Sequence, residues 1–141
     1  MYKLITETEA ENIPANFTGV AEHSNGYKEY LVNGLRHRDG GLPAFENSNG
    51  DKFYWVNGKR HRDGGLPAIE HSNGDKFYYV NGKRHRDGGL PAVEYSNGAK
   101  SYWVNGKQLI KDEAKHLAPS CNGKVVLIDG VEYKLTALNT P

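Results

Sequence analysis

What this chain is short of narrows the field first. Its 141 residues hold one cysteine, Cys121, so neither an internal disulfide nor a cysteine-based zinc site can form within it. That scarcity fits a reducing compartment better than a secreted setting. No apolar run approaches the ~20 residues that a membrane-spanning helix needs, and the opening MYKLITETEA lacks the apolar centre of a signal peptide. A cytoplasmic location without membrane insertion is the expectation. An excess of one charge is lacking too. With 18 Lys and Arg against 17 Asp and Glu, the formal net charge is +1, which gives no general pull toward nucleic acid or membrane. Hydrophobic residues make up only 37%, and one methionine accompanies 9 tyrosines and 17 glycines. Such a chain favours tight turns and amphipathic rings over a thick aliphatic interior. The length suits one structural domain with a modest core.

What is present is repetition. The octapeptide HRDGGLPA occurs three times, at His37–Ala44, His61–Ala68 and His85–Ala92. It belongs to a longer unit: Val32–Trp55, Val56–Tyr79 and Val80–Trp103 align without a gap at a period of 24 residues. The phase extends back through AEHSNGYKEYL at Ala21–Leu31 and forward through VNGK at Val104–Lys107. The repeat array therefore covers Gly19–Lys107, between an N-terminal cap at residues 1–18 and a C-terminal cap at 108–141. An active site needs one copy of its residues. A stack of equivalent units needs the same connector at every step.

Each unit carries Asn-Gly twice, in SNG and in VNG. Asn-Gly is the strongest short hairpin signal, because both residues tolerate positive φ. Between the two turns lies DKFYWV at Asp51–Val56, rich in aromatic and β-branched residues, which reads as a strand. The preceding LPAFEN, Leu42–Asn47, reads as its partner, with proline tolerated at its start. The prediction is an all-β fold: antiparallel β-hairpin repeats stacked as a twisted meander or open solenoid. HRDGGLPA is its connector. The pairs Gly40-Gly41, Gly64-Gly65 and Gly88-Gly89 supply conformations that a Cβ resists, and Pro43, Pro67 and Pro91 restrain the return into the next strand. Asp39, Asp63 and Asp87 are expected to accept hydrogen bonds from the following turn amides. At the ends, MYKLIT suggests a strand and TETEAENIP a turn or short helix. QLIKDEAKHLAPS suggests a short helix over Leu109–Leu117. KVVLI-DG-VEYKL, Lys124–Leu135, is a hairpin suited to covering the last open edge.

One hairpin per two dozen residues, with recurring Asn-Gly and aromatic pairs, resembles the MORN family of β-hairpin repeats, whose units have the form YxGxxxxGxxHGxG. Here YWVNGKRHRDGG, Tyr54–Gly65, stands where that family has its glycine-rich HGxG. Units of the form HRxDGPAxExxNGxxxYYxNG, found in bacteriophage and large-virus proteins, are more similar still. The resemblance covers Gly19–Lys107 and not the ends. It implies a hairpin array acting as a scaffold for protein partners, and a viral source would imply a small effector acting on a host component. That functional step is analogy.

Comparing equivalent positions separates two faces, because successive strand residues point to opposite sides. Tyr30, Tyr54, Tyr78 and Tyr102 are identical, as are Val32, Val56, Val80 and Val104, the signature of an internal ladder. The opposite side carries Glu29, Phe53, Phe77 and Ser101, then Leu31, Trp55, Tyr79 and Trp103. Phe53, Trp55, Phe77 and Tyr79, with Trp103 at the margin, form the candidate surface for a protein partner. The plainer reading makes these rings the core of a thin sheet, the commoner fate of large aromatics.

The chemistry is weighed against the same period. HRD occurs in the catalytic loop of protein kinases, but the glycine-rich loop, strand lysine and DFG that accompany it there are absent. His37, His61 and His85 recur one unit apart, about 9–10 Å if each unit adds two strands, too far to share a metal. Glu46, Glu70 and Glu94 recur in the same way and suit pairing with Lys or Arg better than catalysis. No enzyme activity, cofactor or metal is expected. Nucleic acid or a phosphate-bearing nucleotide is the alternative ligand, through a rim of Arg36, Arg38, Arg60, Arg62, Arg84 and Arg86 with the three histidines. Against it, one unit from Val56 to Tyr79 is nearly charge-balanced. A third reading is a purely structural component that self-associates as a homo-oligomer.

Overall fold

The computed structural model describes residues 3–5, 13–110, 125–129 and 131–134. Every regular element among them is a strand, and no helix among them is long and apolar enough to cross a membrane. The helix expected over Leu109–Leu117 and the turn or helix expected in TETEAENIP fall almost wholly outside the described residues. Leu109 itself closes a strand.

The two Asn-Gly turns set the layout. At each SNG turn a pair of very short strands folds back: β5 (Phe45–Glu46) with β6 (Lys52–Phe53), β9 (Ile69–Glu70) with β10 (Lys76–Phe77), and β13 (Val93–Glu94) with β14 (Lys100–Val104). Ahead of them, β1 (Lys3–Ile5) runs parallel to β2 (Gly19–Glu22), which pairs antiparallel with β3 (Lys28–Val32). These strands join edge to edge into one open, unclosed sheet, β1-β2-β3-β5-β6-β9-β10-β13-β14.

At each VNG turn a second hairpin forms. β4 (Leu35–Arg36) pairs with the end of β3, β7 (Trp55–Val56) with β8 (Lys59–Arg60), β11 (Tyr79–Val80) with β12 (Lys83–Arg84), and the end of β14 with β15 (Lys107–Leu109). In the two middle units this hairpin is separate from the sheet, while at the ends of the array β4 and β15 remain part of it. Asn33, Asn57, Asn81 and Asn105 lie at φ near +50°, each followed by a positive-φ glycine, as a two-residue loop of this hand requires. The glycine amide then clips each unit to the one before: Gly58 N–H donates to Arg36 O, Gly82 to Arg60 O and Gly106 to Arg84 O, all at 2.9 Å.

DKFYWV is therefore not one strand. It breaks at Tyr54 between β6 and β7, and the same break occurs at Tyr78. Tyr54 N–H donates across to Ala68 O at 2.8 Å, while its carbonyl accepts from His61 N–H at 3.1 Å, so the residue is the corner where the chain turns from one ribbon to the other. Its side chain is carried inward. Tyr54, Tyr78 and Tyr102 are buried, with Ala44, Ala68 and Ala92 wholly enclosed beside them, and Ile69 and Val93 add a small aliphatic part to this thin core. Phe17, Ala21 and Leu31, with Ile13 against them, close the N-terminal end. At the other end, β16 (Val125–Ile128) and β17 (Val131–Lys134) form the expected hairpin, with Asp129 at positive φ.

A carboxylate latch ties successive SNG turns. Asp51 Oδ1 accepts the Ser72 N–H at 2.8 Å, and Asp75 Oδ1 the Ser96 N–H at 2.7 Å. The Ser72 amide, aided by His71 and Asn49 and opposed by burial, holds the Asp51 carboxyl far below the usual carboxylate range. The equivalent residue in the last SNG turn is Ala99, so the latch stops there.

Candidate interaction surface

The six arginines of the rim divide into two sets with different surroundings. Arg38, Arg62 and Arg86 turn inward. Their guanidinium carbons lie 3.6, 3.7 and 3.7 Å from the ring centres of Tyr30, Tyr54 and Tyr78. Arg62 Nη1 donates to Pro67 O at 3.2 Å and to Glu70 Oε1 at 3.0 Å, and Arg86 Nη1 to Pro91 O and Glu94 Oε1 at 3.1 and 2.9 Å. Arg38 reaches Pro43 O at 3.1 Å but stands 3.9 Å from Glu46. The tyrosine hydroxyl completes the cluster: Tyr54 donates to Glu70 Oε2 and Tyr78 to Glu94 Oε2, at 3.1 and 3.0 Å. Burial, together with the carboxylate, pushes the Tyr78 hydroxyl up to about 12 and Tyr54 in the same direction, so both remain donors. At the end of the array Tyr102 donates to Asp129 of the terminal hairpin at 2.6 Å, where an earlier tyrosine meets glutamate.

The histidines of the rim are equally committed. Asn57 N–H donates to His37 Nδ1, Asn81 N–H to His61 Nδ1 and Asn105 N–H to His85 Nδ1, at 3.0, 3.1 and 3.1 Å. An N–H needs an unprotonated acceptor, so the ring proton sits on Nε2 and points at Asp39, Asp63 or Asp87, 2.8–3.0 Å away. These aspartates bond to the imidazole two residues before them, not to the following turn amides. The glycines at that turn leave the carboxylates almost fully in water, where the ring is the near donor. No group of three His, Cys, Asp or Glu side chains suited to a metal occurs among the described residues.

Arg36, Arg60 and Arg84 turn outward, onto the face of the candidate aromatics. The two-residue Asn-Gly loop sets Arg60 directly across from Trp55 and Arg84 across from Tyr79. Guanidinium and ring then alternate along the array. Arg36 lies 5.4 Å from the Trp55 ring, and Arg60 lies 5.2 Å from Trp55 and 5.5 Å from Tyr79. Arg84 follows at 5.6 Å from Tyr79 and 4.6 Å from Trp103. A second ladder runs beside it, where Phe45, Phe53, His71, Phe77 and Tyr95 meet edge to face with centroids 5.3–5.8 Å apart. Arg36 over Phe45 and Arg84 over Phe77 join the two ladders into one surface. Phe53, Trp55, Phe77, Tyr79 and Trp103 are all half-buried: packed against one another, yet open on one side.

The middle of this surface holds an unbalanced charge. Arg36 Nε donates to Glu29 Oε2 at 2.9 Å. In the next two units the glutamate position is Phe53 and Phe77. Arg84 retains one bond, to the Tyr79 hydroxyl at 3.2 Å. Among the described residues the Arg60 guanidinium has neither a hydrogen bond nor an ion pair, only rings, and its Nε is buried without an acceptor, as are Trp55 Nε1 and the Nε of Arg62, Arg84 and Arg86. The connector edge has the opposite character. There a cleft of about 280 Å³ is lined by the half-exposed Leu66 and Leu90 and the nearly bare carboxylates of Asp63 and Asp87.

No family model, no curated protein and no solved structure matches this chain.

Sequence reasoning found the rings of this surface but missed how the arginines divide and which ring neighbours which. The signal was there. A two-residue loop at Asn57-Gly58 fixes the register of the strands on either side of it, and directly opposed residues share a face, so Arg60 had to join Trp55 and Arg62 could not.

Proposed function

We propose that the chain is a non-enzymatic repeat scaffold that binds and occludes a protein partner through the face of Phe53, Trp55, Phe77, Tyr79 and Trp103, together with Arg60 and Arg84. The observation that carries this reading is Arg60. A guanidinium held between two half-buried rings, with no carboxylate partner among the described residues, is an anchor of the kind that interfaces favour, and it is already oriented before a partner arrives. The 24-residue unit is one step of a MORN-like open array, and repetition spreads the same contact over successive steps. The viral-type resemblance extends the reading to a small effector in the cytoplasm of a host cell, masking a surface of one of its proteins.

The phosphate-ligand alternative narrows to Arg60 and Arg84, because the other rim arginines and the histidines are engaged within the chain. Self-assembly is the remaining alternative. Cross-linking and affinity capture with the wild type and with Trp55→Ser, nuclease-treated in parallel, separates the three. The expected result is a protein captured independently of nuclease and lost with the variant, while the β signal in circular dichroism is kept. Loss of that β signal would assign Trp55 to the core and refute the surface reading.

A further inference from the structure

We infer that the segment docking on this face is acidic and adopts the polyproline-II conformation, with an acidic side chain at every third residue. This inference rests on the reading of the face as a protein-binding surface and names the chemistry of what it receives.

Charge comes first. Arg60 and Arg84 stand one unit apart on the same face, neither with a carboxylate partner among the described residues, whereas Arg36 has Glu29, Arg62 has Glu70 and Arg86 has Glu94. The complement of two such guanidinium groups is a pair of carboxylates at the same spacing.

The spacing selects the backbone. Each unit adds two strands to the sheet, so equivalent side chains advance by about 9.6 Å. The steps of 5.2 and 5.5 Å from the Trp55 ring through Arg60 to the Tyr79 ring accord with that advance. A polyproline-II helix has three residues per turn and a rise of about 3.1 Å, so it presents the same side every ~9.3 Å and drifts only ~0.6 Å over two units. A β-strand presents the same side every ~6.7 Å. An α-helix does so at ~10.5 Å per heptad and slips by nearly 2 Å over the same distance. One step separates Arg60 from Arg84, and over it polyproline II departs by ~0.3 Å, an α-helix by ~0.9 Å and a β-strand by ~2.9 Å, so polyproline II is the nearest match of the three.

The rings fit the residues in between. Trp55, Tyr79 and Trp103 form ridges at the pitch of the array, and prolines seated between aromatic ridges are a recurring way of holding such a segment. A polyproline-II segment is already extended and loses little conformational entropy on docking, which suits a receptor as preformed as this one.

The test is fluorescence anisotropy on the full chain with a labelled Glu-Pro-Pro repeat of about fifteen residues. The comparison ligands are a Glu-Gly-Gly repeat of equal charge, a Lys-Pro-Pro repeat and oligothymidylate of similar length. The Glu-Pro-Pro peptide is expected to bind, and the Glu-Gly-Gly peptide at least about fivefold more weakly, because it must be ordered first. Lys-Pro-Pro should not bind. Affinity should fall as salt is raised. Arg60→Gln should weaken binding about tenfold or more. Phe53→Glu offers Arg60 the internal carboxylate that Arg36 already has and should do the same, with circular dichroism reporting that both variants are folded.

Equal affinity for the two acidic peptides would refute the polyproline-II requirement, and binding indifferent to Arg60→Gln would refute the site. Tighter binding of oligothymidylate would assign the face to nucleic acid. If no peptide binds but a protein is still captured through Trp55, this inference fails while the reading it rests on stands.

Discussion

Arg60 and Arg62 sit two residues apart, yet one packs against the buried tyrosine row and the other lies between half-buried rings of the opposite face. Arg62 lies flat on a buried tyrosine, bonds to a proline carbonyl and meets a glutamate. Arg60 touches rings only. The difference follows from strand parity: residues on either side of His61 point to opposite faces, so one R-H-R motif serves both. The inner face is the same in every unit because each unit must grip its neighbour in the same way. The outer face varies, with Glu29, Phe53, Phe77 and Ser101 at one position, and each makes a different contact: Glu29 with Arg36, Phe53 and Phe77 with His71, Ser101 with Trp103. Identity at the tyrosine, inner arginine and glutamate positions builds the stack, while the equally identical Arg36, Arg60 and Arg84 meet different partners because the residues around them vary.

Removing an inner arginine should break that contrast most severely. Arg62→Ala leaves Glu70 and Tyr54 without their partner and should cost about 2–3 kcal/mol in urea unfolding. Arg38→Ala, whose glutamate is already 3.9 Å away, should cost less. Next in size is Tyr78→Phe, which removes one donor to Glu94 and should cost about 1–2 kcal/mol, seen as a lower urea midpoint at unchanged slope.

Acid should weaken the latch between SNG turns. Because Asp51 and Asp75 are depressed when folded, their stabilisation is complete above the ordinary aspartate value of 3.8 and is lost as pH falls through the lower folded values. Melting temperature should therefore drop between about pH 5 and about pH 2, and Asp51→Asn, already weaker at the higher pH, should drop less. The smallest stability effect sharpens the comparison: Arg60→Ala should shift unfolding by less than about 0.5 kcal/mol, while abolishing capture of the partner.

Much of this architecture was legible in the letters. Both Asn-Gly turns, the glycine pairs at positive φ, the buried tyrosine row and the pairing of Glu70 and Glu94 with arginine follow from local rules. Two things were not. Nothing in DKFYWV announces the break at Tyr54, where the backbone bonds across to Ala68 of the neighbouring unit. The histidine partner of Asp63 was hidden because a turn amide and an imidazole are equally near in sequence, and only the fold decides between them. The outer ladder was half legible. Its rings stood out, but its arginines were read as one row with the inner set.

One substitution gives the array a direction. Where Asp51 and Asp75 each hand a carboxylate forward to the following turn, Ala99 hands on nothing. A further unit placed between the Asp51 and Asp75 turns would meet a working latch at both of its joints, whereas one placed directly after the first turn, where Tyr27 holds the aspartate position, would not. A unit added behind Ala99 would arrive at a silent joint, so the array as built has its latched steps in the middle.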